Sequence, residues 1–445
     1  MTKLREIDRP GRAVEARLLT INAPKAQPHE VFESLRAQGK EVVLLESGND
    51  VGNSALGWTF VGVVNRDIKV PKGEAGLIFM RDYIRKHKRK KKNAEPPFTG
   101  GFVGFLSYEW EPYFVYVDEV MAFQRRGSPC LIFVADDPHI ARSNMYDLAM
   151  TSPYMMGWSR VKTATKMYPR TAAPKSNISL SMYLQKIAQI KEYLAAGETY
   201  QVNFSQKFQT PYGGDAFELY KKVTAINPSP FQFFLETKDF AVISNSPERL
   251  MKLKGNIIET KPIKGTMPRG KNPKEDAVNI KKLLASAKER AELEMIVDLA
   301  RNDIGKICRP GTVKVTELRA VEKYSHVIHT SATIRGKMQK GRDWLDALHA
   351  LFPGGSVTGC PKKRTMEIIK KLEGEPRGVY CGSAGYIDLS GDCDFNIMIR
   401  TLWLDKKTHQ LSFRSGGGIV VDSDPEKEYA ETMHKSQALM SAVAS

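Results

Sequence analysis

Three strand-like runs follow one another near the C-terminus, Val379–Leu389, Phe395–Leu404 and Leu411–Arg414, with no helix between them. Strands that come in groups do not build the regular βαβ alternation of a parallel sheet, and they read as antiparallel neighbours. Earlier segments repeat the grouping. Glu41–Ser47 is a short β-branched run ending in polar residues, and Cys130–Ala135 reads as a buried strand. Phe98–Glu109 is aromatic and carries glycines spaced for a sharply curved strand, and it fits neither GxGxxG before a helix nor a Walker loop. Residues 239–263 read as strands and turns, with Ser246-Pro247-Glu248-Arg249 at a strand end.

Helices separate these groups. Tyr183, Ile187, Ile190 and Leu194 recur at helical spacing over Ser179–Ala196, and Gly197 stops that helix. One long helix is expected over Lys274–Arg301, and shorter ones over Leu345–Phe352 and Lys362–Leu372, the latter with Pro361 at its first turn. Asp424-Pro425 caps a last helix that runs to the C-terminus. The pattern predicts an α+β fold with large antiparallel sheets.

Composition adds boundaries. The chain has 445 residues, room for roughly three domains or one large merged core. The polar, Pro-containing stretch Ser152–Pro174 is the expected linker, dividing an N-terminal lobe (1–170) from the remainder (171–445). No apolar run approaches the roughly 18 residues that span a bilayer, and the N-terminus lacks a secretory core, so a cytoplasmic protein without a membrane partner is expected. Five widely spaced cysteines with no CxxC pair suit reduced thiols better than a disulfide framework or a zinc site. The formal charge of +17 raises nucleic acid as a partner. Seven of those charges lie in Arg85–Lys92, which no aromatic residue interleaves, so a solvated loop is expected there and no nucleic-acid site.

Several residues carry chemistry. In Pro262–Arg269 two prolines remove backbone donors, which excludes a helix and makes a poor central strand. The segment holds Lys264 between an apolar residue and a glycine, where partial desolvation would turn an amine into a nucleophile. Glu289 and Glu292 stand at i and i+3 on one helix face, and Glu428 and Glu431 repeat the device on the last helix. Such pairs usually face solvent and nearby lysines. Two of them converging would call for a hard divalent cation, magnesium above all. Gly416-Gly417-Gly418 suits a tight turn or a backbone nest for an anion. Arg400, at the end of an otherwise apolar strand, needs a carboxylate partner for its fork. His329 fits either a core or a catalytic role. Gln201, Asn203 and Ser205 share one strand face, expected to be solvated, with a polar cavity as the alternative.

Taken together, the ordered motifs resemble the chorismate-binding enzymes, densely from Ser179 to the C-terminus and more loosely before it. They are Glu198–Asn203, Ser246-Pro247-Glu248, Glu292 through Asn302–Gly305, Phe352–Ser356 with Gly359–Lys362, Tyr380-Cys381-Gly382, and Ser415–Val420. The resemblance implies two large antiparallel sheets packed together and flanked by helices, with the N-terminal lobe sharing them. It implies Mg²⁺ held by Glu292 and Glu431, with Glu289 and Glu428 behind, against the ring carboxylate of chorismate. Gly416, Gly417, Gly418 and Arg400 would take the enolpyruvyl carboxylate, and His329, Ser356 and Thr358 would line the ring. Isochorismate-forming members carry a lysine where this chain has Gln201. Anthranilate synthases usually carry alanine in the Pro-Ile-x-Gly-Thr motif, whereas aminodeoxychorismate synthases carry lysine, here Lys264. By resemblance, then, Lys264 is a nucleophile, Glu248 a general acid, and a separate glutamine amidotransferase subunit supplies ammonia. Leu45-Glu46-Ser47 resembles the segment that holds tryptophan in this family, and Glu294 falls where relatives usually carry leucine.

Overall fold

A computed structural model describes residues 17–22, 27–47, 57–65, 67–91, 95–124, 130–135, 171–324 and 327–444. The expected linker up to residue 170, and Lys92 of the basic run, lie outside the described residues. The fold is α+β, and the strand ladders among the described residues are antiparallel.

The long strand Pro112–Gln124 is their junction. Its first half pairs with Gly101–Leu106, and its second half with Trp58–Val64 and Cys130–Ala135. One run of ladders leaves through Ser383–Asp388, Cys393–Asn396, Arg249–Lys254 and Ile257–Lys261, and closes at Val327–Lys337, which Ile263–Pro268 and Lys314–Lys323 flank. The other leaves through Val42–Glu46, Phe231–Glu236, Phe240–Ser246 and Thr401–Asp405, and ends at Gln410–Ile419 and Gln201–Pro211. These two far ends approach each other, and the residues of interest gather where they do.

Helices cover the sheets with the faces their apolar spacing dictates. The helix Ala287–Gly305 buries Leu293, Ile296, Val297, Ala300 and Ile304 against one core, shared with Trp344–Leu351. The helices Pro28–Ala37, Ala216–Ile226 and Pro425–Ala444 cover a second. Leu180–Ala195 and Lys362–Glu373 enclose a smaller one around Val202 and Phe204.

Three expectations change. The single helix over Lys274–Arg301 is two, Pro273–Ala285 and Ala287–Gly305, because the Ser286 hydroxyl accepts from Glu289 N and starts a new helix there. Glu289 and Glu292 therefore lie in the first two turns of a fresh helix. Arg400 does not end a strand; it sits at φ 53° in the connection between Cys393–Asn396 and Thr401–Asp405. The basic run is not simply a solvated loop. Arg89 is buried against Glu95, at 3.2 Å, and Lys91 lies 3.6 Å from the fully buried Asp388. Asp388 also accepts from Thr99 N and Oγ1, at 2.8 and 2.9 Å. A buried anion held by two cations and two donors is strongly destabilising to break from one side. Asp388→Ala should accordingly lower stability by about 3 kcal/mol, read as a fall in the denaturant midpoint. A change within about 0.5 kcal/mol would return the run to a solvated role.

Candidate active site

Lys264 is placed by a β-bulge. Ile263–Pro268 pairs with Val327–Lys337, Lys264 opposite Thr330 and Thr266 opposite His329, so Gly265 is the extra residue between two matched pairs. Gly265 takes φ 81°, open to glycine, and a bulge of this kind re-aims its neighbours. Pro262 precedes the strand and Pro268 ends it, and the strand pairs on one side only among the described residues. A strand therefore forms where central-strand chemistry is poor, since an edge tolerates it. Lys264 Nζ reaches Glu292 Oε2 at 2.6 Å.

Opposite Lys264 lies the far end of the other run. Gly416, Gly417 and Gly418 pair with Ser205, Phe204 and Asn203 and simply continue Gln410–Ile419. They are neither a turn nor a nest, and none has a positive φ. Their reason is space. A Cβ on Gly418 would stand 3.0 Å from Lys264 Nζ and 3.0 Å from Gln201 Cδ, so the missing side chain leaves the amine and the amide facing one gap. Gln201, Asn203 and Ser205 are buried, which overturns the solvated-face expectation. Both polar atoms of the Gln201 amide, and Asn203 Oδ1, are buried without a partner. Buried amides left unsatisfied in this way call for a polar partner that the surrounding side chains do not supply.

Glu248 stands next to Lys264. Its Oε1 accepts from Ile263 N at 3.3 Å and from Ser356 Oγ at 2.7 Å. Burial pushes its carboxyl up to about 7, against the pull of these donors and of Lys264. It is thus a carboxylic acid that carries its proton near neutrality. His329 Nδ1 shares a hydrogen bond with Thr266 Oγ1 at 2.8 Å, while its Nε2 is buried and unpartnered. Burial, with Arg400 adding to it, lowers His329 to about 4 and leaves a neutral ring. Arg400 makes no ion pair among the described residues, and burial holds it below the ordinary arginine value. A half-buried guanidinium fork with no ion pair among the described residues suits an incoming carboxylate. Thr358 is fully buried, and its hydroxyl turns back to Gly354 O at 2.9 Å, so it builds the turn that carries Ser356.

Glu289, Glu292 and Glu431 lie around Lys264, whereas Glu428 stands at Gly417, on the other face of its strand from the Gly418 gap. Glu289 Oε2 lies 3.1 Å from where a Gly265 Cβ would be, and Glu428 Oε2 3.4 Å from that of Gly417. Burial, then Glu292, raises Glu289; burial raises Glu428 also. Partial desolvation works against the charge of Glu431, but this side chain is 54% exposed and Lys435, 2.6 Å away, holds it below the usual carboxylate range. The donors are all carboxylate oxygens, which is the chemistry a hard cation such as magnesium takes. As they stand, two of them are drawn to lysines, and among the described residues no three acidic, His or Cys side chains meet in a ligating cluster.

Residues 40–441 match the family of chorismate binding enzymes. This chain belongs to that family. It is 36% identical to aminodeoxychorismate synthase component 1 of Bacillus subtilis, with 93% of each chain covered. It is 35% identical to anthranilate synthase component 1 of Streptomyces coelicolor, over 94% of this chain and 86% of that one. The crystal structure of anthranilate synthase component I from Streptococcus pneumoniae superposes with a TM-score of 0.70 at 27% identity, covering 94% of this chain and 98% of that one. The menaquinone-specific isochorismate synthase of Escherichia coli shares the fold, with a TM-score of 0.74 at 18% identity over 97% of this chain and 95% of that one. This chorismate-binding enzyme therefore has an α+β fold common to several activities.

Two further features of the chorismate-binding enzyme fall into place. Glu294, where leucine is usual, faces solvent and pairs loosely with Arg290 at 3.9 Å, so it costs the core nothing. Leu45, Glu46 and Ser47 line a separate cavity with Pro230, Tyr386 and Asp394. Glu46 is already engaged there by His29, at 2.7 Å, and by the Tyr220 hydroxyl, at 2.6 Å. No helix of the described residues is long and apolar enough to cross a membrane.

Proposed function

We propose that this chain is the synthase component that converts chorismate and ammonia to 4-amino-4-deoxychorismate, the precursor of 4-aminobenzoate and folate. The observation that carries the reading is Lys264 at the Pro-Ile-x-Gly-Thr motif, its amine facing the gap that Gly418 leaves beside Gln201. Arg400 and the strand of Gly416–Gly418 receive the enolpyruvyl carboxylate, and the unpartnered His329 Nε2 and Gln201 amide meet the polar edge of the ring. Glu292 and Glu431, with Glu289 and Glu428 behind, would hold a magnesium ion, which supplies positive charge for the ring carboxylate. Lys264 passes its proton to Glu292 and attacks C2 as the amine. Both ring double bonds shift by one position toward C4, and the C4 hydroxyl departs as water with the proton that Glu248 holds. Ammonia then adds at C4 and gives a proton to the Glu248 carboxylate, both double bonds return, and Lys264 leaves C2 and recovers its proton from Glu292. Two successive displacements of this kind deliver nitrogen to the carbon the hydroxyl left. The component 1 relatives point to a second subunit, a glutamine amidotransferase, as the source of ammonia. Leu45-Glu46-Ser47 is the proposed tryptophan-binding segment.

The anthranilate synthase relatives are about equally similar, and that reaction aminates C2 and releases pyruvate. Product analysis with chorismate, magnesium and ammonium separates the two. Aminodeoxychorismate without pyruvate is expected. Anthranilate with pyruvate would replace this reading with the other.

A further inference from the structure

Behind the site, outside every contact that the proposed reaction uses, lies a buried guanidinium. Arg377 is 2% exposed and Glu373 1%. Arg377 Nε and Nη2 hold the Glu373 carboxylate at 3.0 and 2.7 Å, and its plane lies 4.6 Å from the Tyr108 ring centre and 5.7 Å from that of Tyr380. Three N–H groups remain, and two of them go to main chain. Nη1 donates to Val357 O at 2.9 Å and Nη2 to Asn203 O at 2.6 Å. Val357 follows Ser356, whose hydroxyl donates to Glu248, and Asn203 N in turn donates to Thr358 O at 2.7 Å. The three-residue turn Gly355–Val357 is thereby gripped between Arg377 and the strand that carries Gln201.

A buried Arg–Glu pair is an expensive way to hold a fold, since apolar residues of like volume often do as well. Its fork geometry is what apolar packing could not copy. We propose that Arg377 is a positioning residue for the acid of the active site: it fixes the Ser356 turn so that the Ser356 hydroxyl is held against Glu248. The inference rests on the role proposed above for Glu248. Other groups that act on Glu248 are Lys264, Tyr324 and Cys381, with Arg249 and Asp303 across the small cavity on its other side. None of them contacts Arg377 except Cys381, which it influences by charge.

The test reads Glu248 directly, by the infrared band of its protonated carboxyl, assigned as the band lost in Glu248→Gln. Ser356 donates to the charged form, so Ser356→Ala moves the titration of that band to higher pH. Arg377→Lys keeps the charge, loses the fork and moves it the same way. The double variant moves it no further than Ser356→Ala alone, because both act through one contact. Arg414→Lys is the control: Arg414 shares Glu373 but donates to Ser205 and Pro376, away from the Ser356 turn, and should leave the band at the parent pH. In turnover, Arg377→Lys lowers kcat about tenfold with KM for chorismate unchanged, and displaces the falling alkaline limb upward. If Arg377→Lys does not fold, Glu373→Gln loosens the guanidinium from its other side and should shift the band in the same direction. An Arg377→Lys or Glu373→Gln band that titrates with the parent, or shifts that simply add in the double variant, overturns the proposal. Infrared shifts as expected in a protein that yields no aminodeoxychorismate would leave Arg377 in its role and remove the aminating reaction.

Discussion

Lys264→Ala is expected to lower aminodeoxychorismate formation on the order of 10³-fold or more and to abolish any adduct between protein and substrate seen by intact mass. Two roles have to be told apart. Lys264 is the cation that neutralises Glu292, 2.6 Å away, and is also the proposed nucleophile. Loss of the charge alone would leave several carboxylates facing one gap and would weaken substrate binding, which appears in KM. Loss of the nucleophile appears in kcat. Lys264→Arg separates them, since arginine keeps a cation beside Glu292 and supplies no amine that can attack carbon. We expect Lys264→Arg to retain chorismate binding within about tenfold and to be as inactive as the alanine variant. An arginine variant that turns over at the parent rate would leave Lys264 as a counter-ion and transfer the covalent role to no residue described above.

The identity of Lys264 was legible in its motif; its setting was not. Two prolines and a glycine excluded a helix, but only the bulge opposite Thr330 and His329 shows why the strand survives and where the amine points. Alternation put Gln201, Asn203 and Ser205 on one face, yet a period of two says nothing of what covers that face. Its surroundings include Lys264, Ser356 and Glu373, all distant in the chain, and local pattern cannot report them. The i, i+3 spacing of Glu289 with Glu292 and Glu428 with Glu431 correctly placed each pair on one helix face. It could not show that Lys264 and Lys435 already hold one member of each. The triple glycine invited a turn, because glycine is most often read through its backbone freedom. Here the missing Cβ matters and the backbone is ordinary strand. Arg377 gave no signal at all: an arginine after Glu375-Pro376 resembles any surface turn, and its four acceptors lie on other elements or back across the turn.

Glu248→Gln should separate function from stability in opposite directions. As general acid Glu248 is active while protonated, so turnover should fall as pH rises through about 7. The glutamine variant cannot give a proton, and kcat should drop by about 10²–10⁴ with the alkaline limb gone. Stability follows from the same shift. The carboxyl rises from 4.5 unfolded to about 7 folded because burial disfavours its charge. Between those values the folded state binds the proton and the unfolded state has released it, so stability declines as pH rises through the window. Above it the charged, buried carboxylate has cost the fold on the order of 3 kcal/mol. Glutamine keeps the shape, can still accept from Ser356 and Ile263, and has no charge to bury. Glu248→Gln is therefore expected to match the parent in thermal unfolding at pH 5 and to exceed it at pH 8, while losing activity at both. Equal pH dependence of the two melting temperatures would show that Glu248 is already ionised at neutrality, and such a carboxylate could not protonate the departing hydroxyl.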